Sequence, residues 1–194
     1  MRLFVSVDCD GLETAIAGVQ EPLRDLPGLR LVDPGQAHVT MKFFGSGPES
    51  DDEITNGGDG HDLDALVRAI RNAVAEADVD PFDAHVRGIG VFPSLDYISV
   101  VWLGVDEGSE PLFALHKALE ARTVDLGYAP EDHDFTPHIT IARMDHAAAK
   151  SDVQRHVQEA DPDVGTLRID ELRLKESTLT ADGPVYDTIE RISL

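Results

Sequence analysis

His38-Val39-Thr40-Met41 and His138-Ile139-Thr140-Ile141 carry one pattern twice: a histidine, an apolar residue, a threonine, an apolar residue. Side chains along a β-strand point alternately to opposite faces. His38 and Thr40 then share one face, with Val39 and Met41 on the other. His138 and Thr140 stand likewise over Ile139 and Ile141. Each strand buries its apolar pair and presents an imidazole and a hydroxyl. Set side by side, the two strands line one cleft with two histidines and two hydroxyls, a set suited to acid–base chemistry on a phosphate.

Working outward, Arg2–Asp8 reads as a strand, with Leu3, Val5 and Val7 alternating. Leu12, Ile16, Val19, Leu23 and Leu26 follow at helical spacing, and Pro27-Gly28 ends that helix. A short strand spans Leu29–Val32, and Gln36–Gly45 holds the first motif. Gly45 to Gly60 is an acidic, glycine-containing loop. Leu63, Leu66, Ile70 and Val74 mark a helix, and Phe82–Phe92 with Tyr97–Val105 a strand pair. Leu112, Leu115, Leu119 and Val124 mark another helix, Phe135–Arg143 holds the second motif, and a short helix covers Ser151–Glu159. Leu167–Leu179 and Val185–Leu194 close the chain as a hairpin. The expectation is an α+β class: a duplicated bilobal fold over 1–194, a single two-lobed domain with one motif per lobe. Two antiparallel sheets would line a central cleft, with helices outside.

Composition bounds the function. The 194 residues carry 37 acidic against 16 basic side chains, a formal charge of −21, and only four of the basic residues are lysine. Such a charge keeps a protein dispersed but strains the fold by self-repulsion. Salt near 1 M, with a Debye length of roughly 3 Å, removes most of that strain. The expectation is a halophilic protein of a salty cytoplasm. An RNA partner would be repelled at long range, so its binding must rest on local contacts. No apolar run reaches the roughly 18 residues of a membrane helix, and the opening strand meets Asp8 too early for a signal peptide. Cys9, the only cysteine, has no motif around it and reads as a small buried residue.

A single His-x-Thr is more often a polar strand face than a site. Two matched copies, one per half, reverse that judgement. Near neutrality one imidazole can be neutral and the other charged, so one takes a proton from water while the other gives one to a leaving oxygen. Thr40 and Thr140 can donate to non-bridging phosphate oxygens. By alternation Lys42 lies on the His38 face, where it could neutralise phosphate or stand as an ordinary surface lysine. Phe44 shares that face and could stack on a base, but packing in the core suits it better. Arg143 falls on the face opposite His138 unless the strand bends. Phe92 is a candidate border of the cleft. The remaining histidines show no ligand spacing; His133 and His138 with Asp132 and Asp134 read as solvated loop residues before a strand. No metal or other cofactor is therefore expected. Gly88-Ile89-Gly90 and Gly57–Gly60 lack the features of nucleotide-binding loops.

The segments HVTMKFFG and FTPHITIAR resemble the paired signatures of the two-histidine phosphoesterases, most closely the 2′,5′-RNA ligase group, also called RNA 2′,3′-cyclic phosphodiesterases. RLFVSVD at the start, VFPS at Val91–Ser94, VVWLGV at Val100–Val105 and the LKEStL…GPVY pattern from Leu174 to Tyr186 extend the resemblance over nearly the whole chain. It implies metal-free opening of a 2′,3′-cyclic phosphate to a 2′-phosphomonoester, with His38 as proton donor to the 3′ oxygen and His138 as the base. Some members also join RNA halves reversibly through a 2′,5′ bond. The implied partners are RNA ends or nucleotides with 2′,3′-cyclic phosphate, tRNA halves among them, met by a monomeric cytoplasmic enzyme with no membrane partner. Arg143 matches the arginine that often ends the second motif. The alternative is a non-catalytic RNA-end-binding protein using the same cleft.

Overall fold

The structure, a computed structural model, describes residues 2–45, 62–180 and 183–194. The acidic loop expected over 45–60 thus lies, beyond its first residue, outside the described residues. Among the described residues there are nine strands, β1 (Leu3–Asp8), β2 (Leu29–Leu31), β3 (His38–Gly45), β4 (Phe82–Ser94), β5 (Tyr97–Val105), β6 (His138–Met144), β7 (Asp163–Ile169), β8 (Glu171–Thr180) and β9 (Gly183–Ser193), and four α-helices. These are α1 (Glu13–Gln20), α2 (Leu63–Ala77), α3 (Ser109–Val124) and α4 (Lys150–Glu159). Among the described residues no helix is long and apolar enough to cross a membrane.

Local chemistry accounts for the helix ends. The Asp62 carboxylate accepts from the Ala65 backbone N–H at 2.9 Å and caps α2. Leu66, Ala69, Ile70, Ala73 and Val74 form the buried stripe of that helix. The periodicity that predicts one helix from Leu12 to Leu26 is cut at Gln20, where Pro22 enters a 3-10 turn over Glu21–Leu23. The Gln20 amide is buried and donates to the carbonyls of Val32 (2.7 Å) and Ile141 (2.9 Å), tying α1 to the second motif strand. The segment expected as one strand from Leu167 is two: β7 ends at Ile169 and β8 begins at Glu171, on opposite sides of the fold.

The strands run in the order β7-β4-β5-β6-β3-β1-β8-β9, every pairing antiparallel, with β2 on β6. Apart from β2, the sheet divides into two four-stranded halves, each with a motif strand innermost. Val39 and Ile139 are the one register pair recorded between β3 and β6. The two halves of this sheet are not successive halves of the chain, because the closing hairpin β8–β9 returns to β1. Helices α2 and α3 pack together, with α3 against β3 and α2 against β9, while α1 contacts β6 and β7 and α4 contacts β4 in the other half of the sheet. Val39, Met41, Ile139 and Ile141 are buried at 0–1% exposure on the helix side, which leaves the opposite face to the histidines.

Strict alternation fails at the same place in both motif strands. Ser6 pairs with Thr40 and Val5 with Lys42, so β3 carries one residue more than β1 at Met41. Trp102 pairs with Thr140 and Val101 with Ala142, so β6 carries one more than β5 at Ile141. Each is a β-bulge, which puts two neighbours on one side and reverses the parity beyond it. Met41 with Lys42, and Ile141 with Ala142, are accordingly all buried. Phe43 and Arg143 return to the histidine face.

The bulge corrects the expectation for Lys42. Its side chain is buried on the α3 side, where Nζ donates to Glu120 Oε2 at 2.5 Å and to the Ala129 carbonyl at 2.9 Å. Phe44 is buried against Tyr128 with ring centroids 5.0 Å apart. Lys42 is a structural cation, not a phosphate ligand. Removing one partner of a buried ion pair strands the other charge. Lys42→Met should therefore lower the unfolding free energy by about 3 kcal/mol in chemical denaturation, where a surface lysine would change it by less than about 0.5 kcal/mol.

Candidate active site

The strands set the four motif side chains as a square. With Val39 across from Ile139, antiparallel running puts His38 opposite Thr140 and Thr40 opposite His138. A local two-fold relation passes through the Val39–Ile139 pair. All four side chains line one cleft.

Both imidazoles are oriented in the same way. His38 Nδ1 donates to the Gln36 carbonyl at 2.8 Å, and His138 Nδ1 to the Thr136 carbonyl at 2.7 Å. A carbonyl only accepts, so each neutral ring carries its proton on Nδ1 and leaves Nε2 as the basic atom. The carbonyls are themselves fixed. Gln36 sits in a 3-10 turn capped by Asp33, whose carboxylate accepts from Gly35 N–H, and the Gln36 amide oxygen accepts from Tyr186 N–H at 3.2 Å. Thr136 precedes Pro137, which favours extended backbone there. The segment before Pro137 is held to β3 from behind. The Phe135 ring stacks on His116 at 4.1 Å, and His116 Nδ1 donates to the Met41 carbonyl at 2.8 Å. Glu120, the partner of Lys42, accepts from Glu131 N–H at 2.8 Å.

Aromatic rings wall each histidine. His38 lies against Phe4 (5.1 Å) and edge-on to Tyr186 (5.1 Å). His138 lies edge-on to Phe92 (4.9 Å), with Trp102 at 6.3 Å. Gly90 is the register partner of Trp102, and a Cβ there would come within 2.3 Å of the indole ring, so glycine admits this wall. Behind His38, the Asp8 carboxylate accepts from Ser6 Oγ (2.8 Å), Lys175 Nζ (2.5 Å) and Arg173 (2.7 Å). Burial opposes ionisation of Asp8, but the hydrogen bonds from Lys175 and Ser6 hold it below the usual carboxylate range.

Burial pulls both histidines below the ordinary imidazole value. At His38 the Gln36 carbonyl works against that shift, with smaller opposed effects from Lys175 and Asp8. At His138 the Thr136 carbonyl opposes it, while Arg143 and His133 add to it. Both rings are therefore neutral near pH 7 in the free protein, and an arriving anion favours protonation of one of them. Burial pushes the Cys9 thiol up, which removes it as a nucleophile.

The cleft gathers Thr40, Thr140 and Arg143 with the two histidines and leaves Lys42 out. Phe92 borders it, as the sequence suggests. Phe4, Phe43, Tyr186, Trp102, Arg2 and Arg30 are not singled out by sequence. Phe4 and Arg2 have a signal, since alternation over Arg2–Asp8 places them with Ser6 and Asp8 on the side away from Leu3, Val5 and Val7. The others depend on a bulge or on strands distant in sequence.

A model of the 2′-5′ RNA ligase superfamily matches residues 12–178. The chain belongs to that superfamily. Relatives named RNA 2′,3′-cyclic phosphodiesterase are similar over nearly their full length. The one from Methanothermobacter thermautotrophicus is 34% identical over 195 residues, spanning 98% of this chain and 97% of its own. The one from Methanocaldococcus jannaschii is 29% identical over 192 residues, spanning 98% and 99%. Among solved structures, TT0787 of Thermus thermophilus superposes with a TM-score of 0.77 at 27% identity, covering all of this chain and 98% of that one. Escherichia coli LigT complexed with 3′-AMP gives 0.71 at 21% identity, covering 100% and 97%, a likeness of fold.

The site electrostatics of this superfamily member can be read directly. NMR titration of the imidazole Hε1 protons in phosphate-free buffer should give midpoints below about 6.5 for both His38 and His138. Inorganic phosphate should raise both. Midpoints at or above 6.5 without phosphate would contradict the burial argument.

Proposed function

We propose that the protein opens RNA 2′,3′-cyclic phosphates to 2′-phosphomonoesters by a metal-independent two-histidine mechanism. The observation that carries this reading is the square of two histidines and two threonines, each imidazole offering Nε2 to one cleft. The full-length similarity to proteins named RNA 2′,3′-cyclic phosphodiesterase supports it.

In the proposed step His138 Nε2 takes a proton from water as the oxygen attacks phosphorus. The bond from phosphorus to the 3′ oxygen breaks, and His38, protonated in the complex, gives its proton to that oxygen. The order of the two roles follows the family resemblance. Thr40 and Thr140 donate to the non-bridging oxygens, and Arg143 offsets the charge that grows on them. Proton delivery, proton removal and charge compensation are then all supplied by side chains, so the step calls on no metal ion or nucleotide cofactor. With a ribose 5′ hydroxyl in place of water as the nucleophile, the same step breaks the bond to the 3′ oxygen and forms a 2′,5′ bond, and its reverse cleaves that bond. The substrates are RNA ends, tRNA halves among them, met by a monomer in the cytoplasm.

The test is release of 2′-phosphate from an RNA with a 2′,3′-cyclic end after exhaustive EDTA treatment. Full activity is expected, with NMR placing the phosphate on the 2′ oxygen. His38→Ala and His138→Ala should each reduce kcat by about 10²–10⁴-fold while the melting curve is kept. Activity lost to EDTA and restored by zinc, or a 3′-phosphate product, would overturn the mechanism. Binding of cyclic ends without turnover would make the protein an RNA-end binder.

A further inference from the structure

The cleft forks at the histidine–threonine square, and its two arms differ in charge. One arm, about 430 Å³, is lined by Arg2, Arg30 and Arg143 with Phe43, Leu179 and Tyr186, and no carboxylate lines it among the described residues. The other, about 640 Å³, is walled by Phe92 and Phe135 with Glu131 and Asp134, and shares Arg143 and Phe43 with the first, so Arg2 and Arg30 are the arginines confined to the first arm. In a chain with 37 acidic and 16 basic residues, an arm that adds Arg2 and Arg30 to the shared Arg143 and is lined by no carboxylate among the described residues is a marked local exception.

Two features show that this arm is kept at some expense to the fold. Arg30 and Arg143 are direct register partners on β2 and β6. Like charges directly opposite in an antiparallel pair destabilise it, unless an anion lies between them. Arg30 also donates to Asp145 at 3.1 Å, but both side chains are more than half exposed, so that contact is weak and exchangeable. In the same arm Phe43 is 44% and Leu179 78% exposed, with the Arg2 guanidinium 5.5 Å from the Phe43 ring centroid. Exposed apolar side chains beside cations suit a nucleotide, whose base covers the former and whose phosphate meets the latter.

We propose that the arginine arm is a subsite for the nucleotide preceding the cyclic end, with its phosphodiester held by Arg30 and Arg2. The inference rests on the function proposed above and narrows it. The preferred substrate is an oligonucleotide end, not a cyclic mononucleotide. Arg143 serves the reacting phosphate and Arg30 the next one along the strand. The carboxylates of the other arm exclude a second phosphate there, which fixes the direction in which the strand enters.

The test compares three substrates: a 2′,3′-cyclic mononucleotide, a dinucleotide with the same cyclic end, and that dinucleotide with an uncharged methylphosphonate linkage. The charged dinucleotide should exceed the mononucleotide in kcat/KM by about tenfold, the size of one charge-assisted contact. The methylphosphonate should fall back toward the mononucleotide. Arg30→Ala and Arg2→Ala should each shrink the ratio of dinucleotide to mononucleotide, mainly through KM. An equal rate for charged and uncharged dinucleotides, or a ratio unchanged in both variants, would overturn the subsite. No turnover of any of the three would instead overturn the proposed function. The subsite is then read from the dissociation constants of a 2′-phosphate-ended dinucleotide and its methylphosphonate analogue: weaker binding of the uncharged one supports it, equal binding refutes it.

Discussion

Val39 opposite Ile139 is the backbone contact on which the site depends. Among the described residues it is the one recorded register pair between β3 and β6, and it joins the two four-stranded halves of the sheet. Because the strands are antiparallel, one pair fixes the relation of four side chains and sets each histidine across from the other motif's threonine. Had the strands met one residue further along, the apolar and polar sets would have exchanged faces. Burial of Val39, Met41, Ile139 and Ile141 against the helix layer holds the register.

The paired bulges add what alternation alone could not. Up to the threonine, each motif strand follows the two-residue period. One step later Met41 and Ile141 are extra residues, and the strand beyond presents its opposite face. In β6 this brings Arg143 back to the face that carries His138. In β3 it brings Phe43 into the cleft and sends Lys42 into the interior. A buried ammonium is tolerable only with partners, and Glu120 and the Ala129 carbonyl provide them. Through the same contacts the back of β3 restrains the segment leading to Thr136, whose carbonyl orients His138. The first motif thus helps position the second from both sides of the sheet.

Much of this is legible in the sequence. The two His-x-Thr repeats announce their own strands, their buried faces and the shared cleft, and the helical stripes of α2 and α3 are plain. What escapes is set by non-local pairing. Neither Met41-Lys42 nor Ile141-Ala142 contains a glycine or proline to signal a bulge, so alternation puts Lys42 in the cleft when it is buried, whereas Phe44 packs in the core as its apolar ring suggests. It admits Arg143 only on the condition that the strand bends. The partners of Lys42 lie on α3 and in the loop that follows it, where no local pattern points. The division between β7 and β8 at Asp170 is likewise a matter of which neighbours each segment finds. The aromatic walls come from β1, β4, β5 and β9, four strands that only the sheet order brings beside the histidines.

The central claim is that the two imidazoles act as one device across the seam, one supplying a proton as the other removes one. The most direct measurement is the kcat/KM of His38→Ala, His138→Ala and the double variant on one cyclic-phosphate substrate. Residues that act as a unit are strongly non-additive. The double variant should lie within about tenfold of the worse single variant. A loss equal to the product of the two single losses would show independent contributions and contradict the account.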